Sequence, residues 1–276
     1  MKAALLQLNT SDDPRANLEL TSAMIGEAAR QGADFVLTPE VTNCVSQSRS
    51  HQRAVLQHQE DDITLSGLRD AARQYGIWLS IGSLALKTED ADGRFANRSF
   101  LIGPDGTIVA QYDKIHMFDV TVSETESYRE SAGYRPGEEA VVAQSPFAKV
   151  GLSVCYDLRF PHLYRALAKS GAEILLIPSA FSPVTGAAHW EPLLRARAIE
   201  NGAFVLAAAQ TGTHKAQSGK PRRTYGHAMA VSPWGEVLID MGETPGVAVV
   251  DLDLKEVAKS RQRIAALTHD RPFEGP

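Results

Sequence analysis

The 276-residue chain is poor in cysteine: it has two, Cys44 and Cys155. Two cysteines cannot make a disulfide framework, which points to a reducing compartment and leaves each thiol free for packing or for chemistry. Basic residues are in the minority. The 28 Lys and Arg against 33 Asp and Glu give a formal charge of −5, the wrong sign for a nucleic-acid footprint. The dense basic cluster within 215–223 is short and reads as a solvated loop. Long apolar runs are missing. The opening MKAALLQLNT is followed at once by polar SDDPR, too soon for a secretory signal or a membrane span, so a cytoplasmic location and no membrane partner are expected. None of the eight histidines stands in HExxH or another tight ligand spacing, so no metal is expected. Repeats, low-complexity tracts and linkers are also absent. What is present is 43% hydrophobic residues, enough for a sizeable core and too many for a disordered chain.

Short apolar runs alternate with helical patterns. Strands are expected at 3–8, 34–37, 77–86, 99–103, 107–112, 150–154, 174–177, 204–209, 227–231, 237–241 and 247–252. Helices are expected at 16–31, 65–75, 161–170 and 190–198, with a last one near Lys255. In 190–198, Trp190, Leu193, Leu194, Arg197 and Ala198 follow helical spacing, and Glu191 and Arg195 are placed for an i,i+4 ion pair. Residues 113–139 read as a long irregular loop, which in a compact domain is functional or mobile. The whole chain, 1–276, reads as one α/β domain. So many strands suit two sheets, each covered by helices on one side, although alternation alone suggests a single parallel sheet.

The stretch KVGLSVCYDLRFP, ending at Pro161, reads as a buried strand that stops on Cys155 and turns into a helix. Such a corner can present one side chain above a sheet with backbone N–H groups just beyond it. Cys155 is therefore a candidate nucleophile; the alternative is a small cysteine that only packs, which is also the simplest reading of Cys44. Glu40 follows a strand and a proline, at the carboxyl end where sites form in open α/β sheets; alone it equally suits an exposed loop. Lys114 alone suits a surface lysine at a strand end, and Glu130 carries no signal of its own.

Taken together, these positions are specific. LTPE at 37–40, YDKIHMFD at 112–119 and GLSVCYDLRFP at 151–161 resemble the Glu-Lys-Cys triad of the nitrilase superfamily, the carbon–nitrogen hydrolases. PSAF at 178–181, AHWEPLLRARAIEN at 188–201, AAAQ at 207–210, YGHAM at 225–229 and PWGEV at 233–237 extend the resemblance over nearly the whole chain. It implies a four-layer α-β-β-α sandwich, two mixed sheets with helices outside, paired into a homodimer or a higher homo-oligomer. It also implies Glu40 as general base, with a pKa raised by burial, and Lys114 as the clamp on the oxyanion, with the Tyr156 backbone N–H as second donor. Cys155 becomes the nucleophile, and Glu130 a second glutamate holding Lys114. No metal or organic cofactor is implied.

Tyr156-Asp157 after the cysteine, where nitrilases carry tryptophan and glutamate, resembles the amidase branches. The full set of motifs most resembles enzymes acting on the terminal amide of a small α-keto acid amide such as deaminated glutathione, through a thioester and with release of ammonia. An ω-amidase acting on α-ketoglutaramate and an N-carbamoyl amino acid hydrolase are alternatives within the superfamily. A scaffolding relative that binds a partner is the alternative outside catalysis. Asp157 and Arg159 are expected to fix the corner by ion pairing, or Arg159 to meet a substrate carboxylate. Phe181, Thr185 and Tyr128 are candidate pocket walls by position, and His116 and His227 are expected to be hydrogen-bonded structural residues. The loop 211–224, with Lys215, Lys220, Arg222 and Arg223, favours an anionic substrate if it reaches the site.

Overall fold

The computed structural model describes residues 1–122 and 127–275; residues 123–126 of the expected long loop, and Pro276, lie outside the described residues. Strands β1 (Lys2–Gln7), β2 (Phe35–Leu37), β3 (Trp78–Leu86), β4 (Ala96–Ile102) and β5 (Ile108–Asp113) belong to one sheet. A short hairpin follows, β6 (Asp119–Thr121) with β7 (Ser127–Arg129). The second sheet takes β8 (Val142–Gln144), β9 (Lys149–Gly151), β10 (Ile174–Leu176) and β11 (Phe204–Ala207). The ribbon β12 (Thr211–Thr213) with β13 (Arg223–Tyr225) interrupts it before β14 (Met229–Val231) and β15 (Val237–Asp240). Finally β16 (Gly246–Asp251) returns to pair with β1 in the first sheet.

The strand orders are β16-β1-β2-β3-β4-β5 and β15-β14-β11-β10-β9-β8. Each sheet has a parallel centre: β2 pairs in parallel with β1 and β3, and β10 with β9 and β11. All other pairs in the two sheets are antiparallel.

Alternation along the strands builds the layers. Successive side chains point to opposite faces. In β1, Ala3 and Leu5 enter a cluster shared with Leu175, Leu176 and Val205 of the second sheet, whereas Ala4 and Leu6 enter a separate cluster with Ile25 and Leu68. The first sheet thus faces the second sheet on one side and helices α1 (Pro14–Arg30) and α3 (Ile63–Tyr75) on the other. On the second sheet, α4 (Pro161–Lys169) and α5 (Pro183–Asn201) supply the outer layer. The result is the mixed-sheet α-β-β-α sandwich.

Local chemistry sets the helix ends. Asp13 caps α1 by accepting from Arg15 and Ala16 N–H, with Pro14 in its first turn, and Asp62 caps α3 by accepting from Leu65 N–H. Gly76 and Gly202 close α3 and α5 in the left-handed conformation. Helix α5 starts at Pro183, well before the expected 190, and carries Pro192 inside. The weak formers Thr185 and Gly186 hide the first turns of this helix from a propensity reading.

Candidate active site

The functional side chains meet where the two sheets are stitched together. Beyond the end of β1, Leu8 bridges to Gln210, which lies beyond the end of β11. The Gln210 side chain donates to the Glu40 carbonyl (3.1 Å), and Thr10 N–H donates back to it (3.3 Å). This is the carboxyl end of the parallel strands, and each sheet turns a corner there.

In the first sheet, β2 runs out through Thr38 and Pro39 to Glu40, and Val41 takes φ 46°, a conformation that β-branched residues avoid. The corner is held from below. Val41 N–H donates to Ser83 Oγ (2.8 Å), Thr42 N–H to the Ser83 carbonyl (2.9 Å), and Gly82 N–H to Thr38 Oγ1 (3.0 Å). A Cβ at Gly82 would stand 2.0 Å from the Thr38 carbonyl, so only glycine admits this approach.

In the second sheet the regular strand stops at Gly151, and residues 152–154 lead to Cys155, which has φ 50° and opens a 3₁₀ turn, Cys155–Arg159. Cys155 N–H donates to the Pro178 carbonyl (3.0 Å). Asp157 fixes the turn, but its partners are not the expected Arg159. Its carboxylate accepts from Val154 N–H (2.8 Å), the Tyr112 hydroxyl (2.6 Å) and His116 N–H (3.0 Å), and pairs with His116 Nδ1 (2.7 Å). Arg159 lies instead beside His189 (3.2 Å) and against the Phe181 ring (5.5 Å); it does not line the cleft. His227 Nδ1 pairs with Asp240 (2.9 Å).

Glu40, Lys114 and Cys155 are 4%, 2% and 6% exposed and line one cleft of about 430 Å³. Lys114 Nζ donates to Glu40 Oε1 (2.9 Å) and to both oxygens of Glu130 (2.9 Å each). The Ala180 backbone N–H donates to Glu40 Oε2 (2.8 Å) and Phe118 N–H to Glu130 Oε2 (2.6 Å). Asn97 Nδ2 donates to both carboxylates, Glu40 at 2.9 Å and Glu130 at 3.3 Å. The Cys155 thiol lies in the same cleft, close enough to Glu40 for each to shift the other's pKa.

The electrostatics correct one expectation. Burial raises the Glu40 pKa, but Lys114 and then Arg222 outweigh it, and the carboxyl is held well below the usual carboxylate range. Glu40 is ionised at rest rather than poised near neutrality. Burial also works against the charge on Lys114, yet Glu130 and Glu40 keep it protonated, with its pKa well above the ordinary value. Burial and the Glu40 charge push the Cys155 thiol up, so the resting sulfur carries its proton. Cys44 packs with Val45, Leu56 and Tyr134 on the floor of the same cleft, and burial pushes its thiol up to about 12.

Tyr128, Tyr156, Phe181 and Thr185 also line the cleft, with the Tyr156 ring edge-on to Phe118 (5.0 Å) and Phe160 (5.4 Å). Of the basic loop, Lys220 and Arg222 reach the cleft, whereas Lys215 and Arg223 do not line it. Sequence reasoning missed Asn97, the Ala180 amide and Arg49. Asn97 is set beside the lysine by the β4–β5 pairing, its carbonyl accepting from Lys114 N–H (3.0 Å).

Among the described residues, the group of side chains best placed to hold a metal ion is His58, Glu60 and Glu89, away from this cleft. No helix among the described residues is long and apolar enough to cross a membrane. Chemically, a thiol against an ionised carboxylate, with a buried ammonium beside both, is an arrangement for adding sulfur to a carbonyl and holding the oxyanion.

Comparison with known proteins agrees with this geometry. Residues 2–262 match the carbon–nitrogen hydrolase family. The deaminated glutathione amidase of Yersinia enterocolitica is 40% identical over 97% of this chain and 92% of its own length. The crystal structure of the C. elegans NitFhit protein superposes with a TM-score of 0.89 at 35% identity, covering 98% of this chain and 65% of that one, so this chain spans less than two thirds of NitFhit. A glutamate-to-glutamine mutant of the amidase from Nesterenkonia sp. AN1, 29% identical with a TM-score of 0.77 over 96% of this chain and 98% of that one, shows the result of Michael addition of acrylamide at its active-site cysteine. The chain belongs to the carbon–nitrogen hydrolase family, whose members hydrolyse carbon–nitrogen bonds other than peptide bonds.

Proposed function

We propose that the chain is a cysteine-dependent amidase that hydrolyses the γ-amide of deaminated glutathione through a thioester on Cys155, its whole length working as one catalytic unit. The observation that carries this reading is the Lys114 ammonium shared between Glu40 and Glu130 in the cleft that holds the Cys155 thiol. The substrate is supported by the activity named for the Yersinia relative.

Sulfur adds to the amide carbon as Glu40 takes the thiol proton. The electron pair of the C=O bond moves to oxygen, and Lys114 meets the oxyanion, with the Tyr156 N–H as second donor. The low basicity of resting Glu40 is lifted in this step. Once the new oxyanion draws on Lys114, the ammonium's hold on Glu40 loosens and the carboxylate accepts the proton more readily. Glu40 then protonates the departing nitrogen and the C–N bond breaks. Water adds to the thioester with its proton going to Glu40; the C–S bond breaks and the thiol is restored. Glu130 keeps Lys114 charged and aimed throughout.

The leaving group follows from the substrate. Deaminated glutathione keeps the γ-linkage to cysteinylglycine, so the nitrogen that departs is the dipeptide's amine. Ammonia, the product implied for a terminal carboxamide, is expected from α-ketoglutaramate instead. A second copy of the chain is the expected protein partner, in keeping with exposed Val184 and Ile199 on α5 and exposed Trp234.

The test is a product screen of the purified enzyme on deaminated glutathione, α-ketoglutaramate, aliphatic amides, nitriles and N-carbamoyl amino acids. The highest kcat/KM on deaminated glutathione, with free cysteinylglycine as product, is expected. Turnover of nitriles alone, or carbon dioxide released with ammonia from carbamoyl substrates, overturns the assignment.

A further inference from the structure

Two guanidinium groups enter the cleft from segments remote in sequence, which meet where Ser48 and Ser218 share a hydrogen bond (3.2 Å), and both are left without an ion-pair partner among the described residues. Arg222 comes from the chain that leads into β13. It is half-buried and donates to the carbonyl of Ala180 (2.6 Å), the residue whose backbone N–H holds Glu40. It is close enough to help depress the Glu40 pKa. Arg49 comes from the helix α2 (Arg49–Val55), which follows the first sheet's corner. Its guanidinium lies over Tyr134 (5.1 Å) and Phe95 (6.0 Å) and is tethered to Gln52 Oε1 (3.2 Å). Gly133 makes room for it, since a Cβ there would fall 1.5 Å from the guanidinium carbon.

A guanidinium stacked on rings and held in place keeps most of its five donors free and loses little freedom when a carboxylate arrives. The two differ in their distance from the chemistry. Arg222 is joined to the Glu40 carboxylate through the backbone of Ala180, whereas Arg49 lies over Tyr134 and Phe95 and is held by Gln52.

We propose that Arg222 and Arg49 read the two carboxylates of a dianionic substrate: Arg222 the α-keto acid carboxylate a short aliphatic chain from the scissile carbonyl, and Arg49 the terminal carboxylate of the departing dipeptide. The proposal rests on the amidase reading above and deepens it. The near carboxylate stays on the enzyme through the thioester stage, so Arg222 contributes to both half-reactions. The far carboxylate leaves with the amine, so Arg49 contributes to acylation alone. Arg49 therefore separates substrates that share an acyl portion but differ in their leaving group.

The experiment compares KM and kcat for deaminated glutathione, α-ketoglutaramate and the uncharged amide butyramide in Arg222→Gln, Arg49→Gln and Arg49→Lys. Losing a charge-assisted carboxylate contact is expected to raise KM about 10- to 100-fold. Arg222→Gln should raise KM for both keto acids. Arg49→Gln should raise it for deaminated glutathione, with α-ketoglutaramate changed less than about threefold, and Arg49→Lys should recover part of the loss, as a point charge recovers part of a guanidinium's contact. Butyramide turnover by the Gln variants reports whether the catalytic centre is intact. Equal effects of Arg49→Gln on both keto acids, or none on either, overturn the division of labour. A wild-type enzyme that cleaves butyramide but neither keto acid overturns the substrate reading instead, so the two failures are distinguishable.

Discussion

The corner after β2 and the corner after β9 both place a non-glycine residue at positive φ, Val41 at 46° and Cys155 at 50°. They use that strain differently. In the first sheet the carboxylate proposed as general base belongs to the residue before the strained one, and serine and threonine hydroxyls brace the turn. In the second sheet the strained residue is itself the proposed nucleophile, and the Asp157 carboxylate braces the turn. Side-chain reach accounts for the difference. Glutamate has enough rotatable bonds to reach the cleft from ordinary backbone beside the corner. A thiol sits one bond beyond Cβ, so the backbone itself must turn to present it. Strain of about 1–3 kcal/mol per residue at such positions is tolerated where the surroundings over-determine the conformation, and here those surroundings are buried hydrogen bonds.

The largest expected contrast between the corners is catalytic. Cys155→Ala should lower kcat by about 10⁴-fold or more, as loss of a covalent nucleophile does; Val41→Ala should lower it less than about tenfold, both read in a continuous assay. Next comes the ammonium that joins the corners. Lys114→Met leaves buried Glu40 and half-buried Glu130 without their cation, and removing one partner of a buried ion pair costs about 3–5 kcal/mol. Activity should vanish and Tm should fall by roughly 6–20 °C.

A smaller effect is expected at Asn97, which donates to both carboxylates. Asn97→Ala should lower kcat/KM about 10- to 100-fold, the cost of about 1–3 kcal/mol for donors withdrawn from buried groups. The pH dependence sharpens the assignment of Glu40. Its pKa is depressed on folding from an ordinary 4.5, so its contribution to stability is fully present above pH 4.5 and is lost as pH falls from there through the folded value. Glu40→Gln should flatten that part of a melting-temperature profile taken between pH 6 and pH 3.

The smallest effect compares the corners directly. At ordinary positions Gly is less stable than Ala, but at positive φ the order reverses. Val41→Gly and Cys155→Gly should each match or exceed the corresponding Ala variant by about 1 kcal/mol in urea unfolding. Ala winning at either site would show that its corner relaxes.

Much of this was legible in the sequence because it depends on local pattern. The strands of both sheets follow apolar runs, and Cys155 and Glu40 sit where those runs end. Other parts depended on pairing between distant segments. The β4–β5 hairpin carries a register shift between Leu101 and Ile102, and a one-residue shift moves side chains to the opposite face. The position of Asn97 opposite Lys114 therefore cannot be extrapolated from the turn at Pro104-Asp105-Gly106. Helix α2 is a short polar segment without an apolar stripe, which hid Arg49. The expected rise of the Glu40 pKa considered burial alone; the cations that reverse it come from just past β5 and from the loop before β13, each remote in sequence. Glu130 had no local signal and was reached through family resemblance, since it opens a 3₁₀ turn inside the segment 113–139.

The central claim is that the substrate's acyl group passes through the Cys155 sulfur. Acid-quenching the wild-type enzyme during turnover of deaminated glutathione, followed by digestion and mass spectrometry, tests it most directly. An α-ketoglutaryl thioester on the Cys155 peptide, with Cys44 unmodified, is the predicted result. Steady product release with no acyl group on Cys155 at any quench time would contradict it.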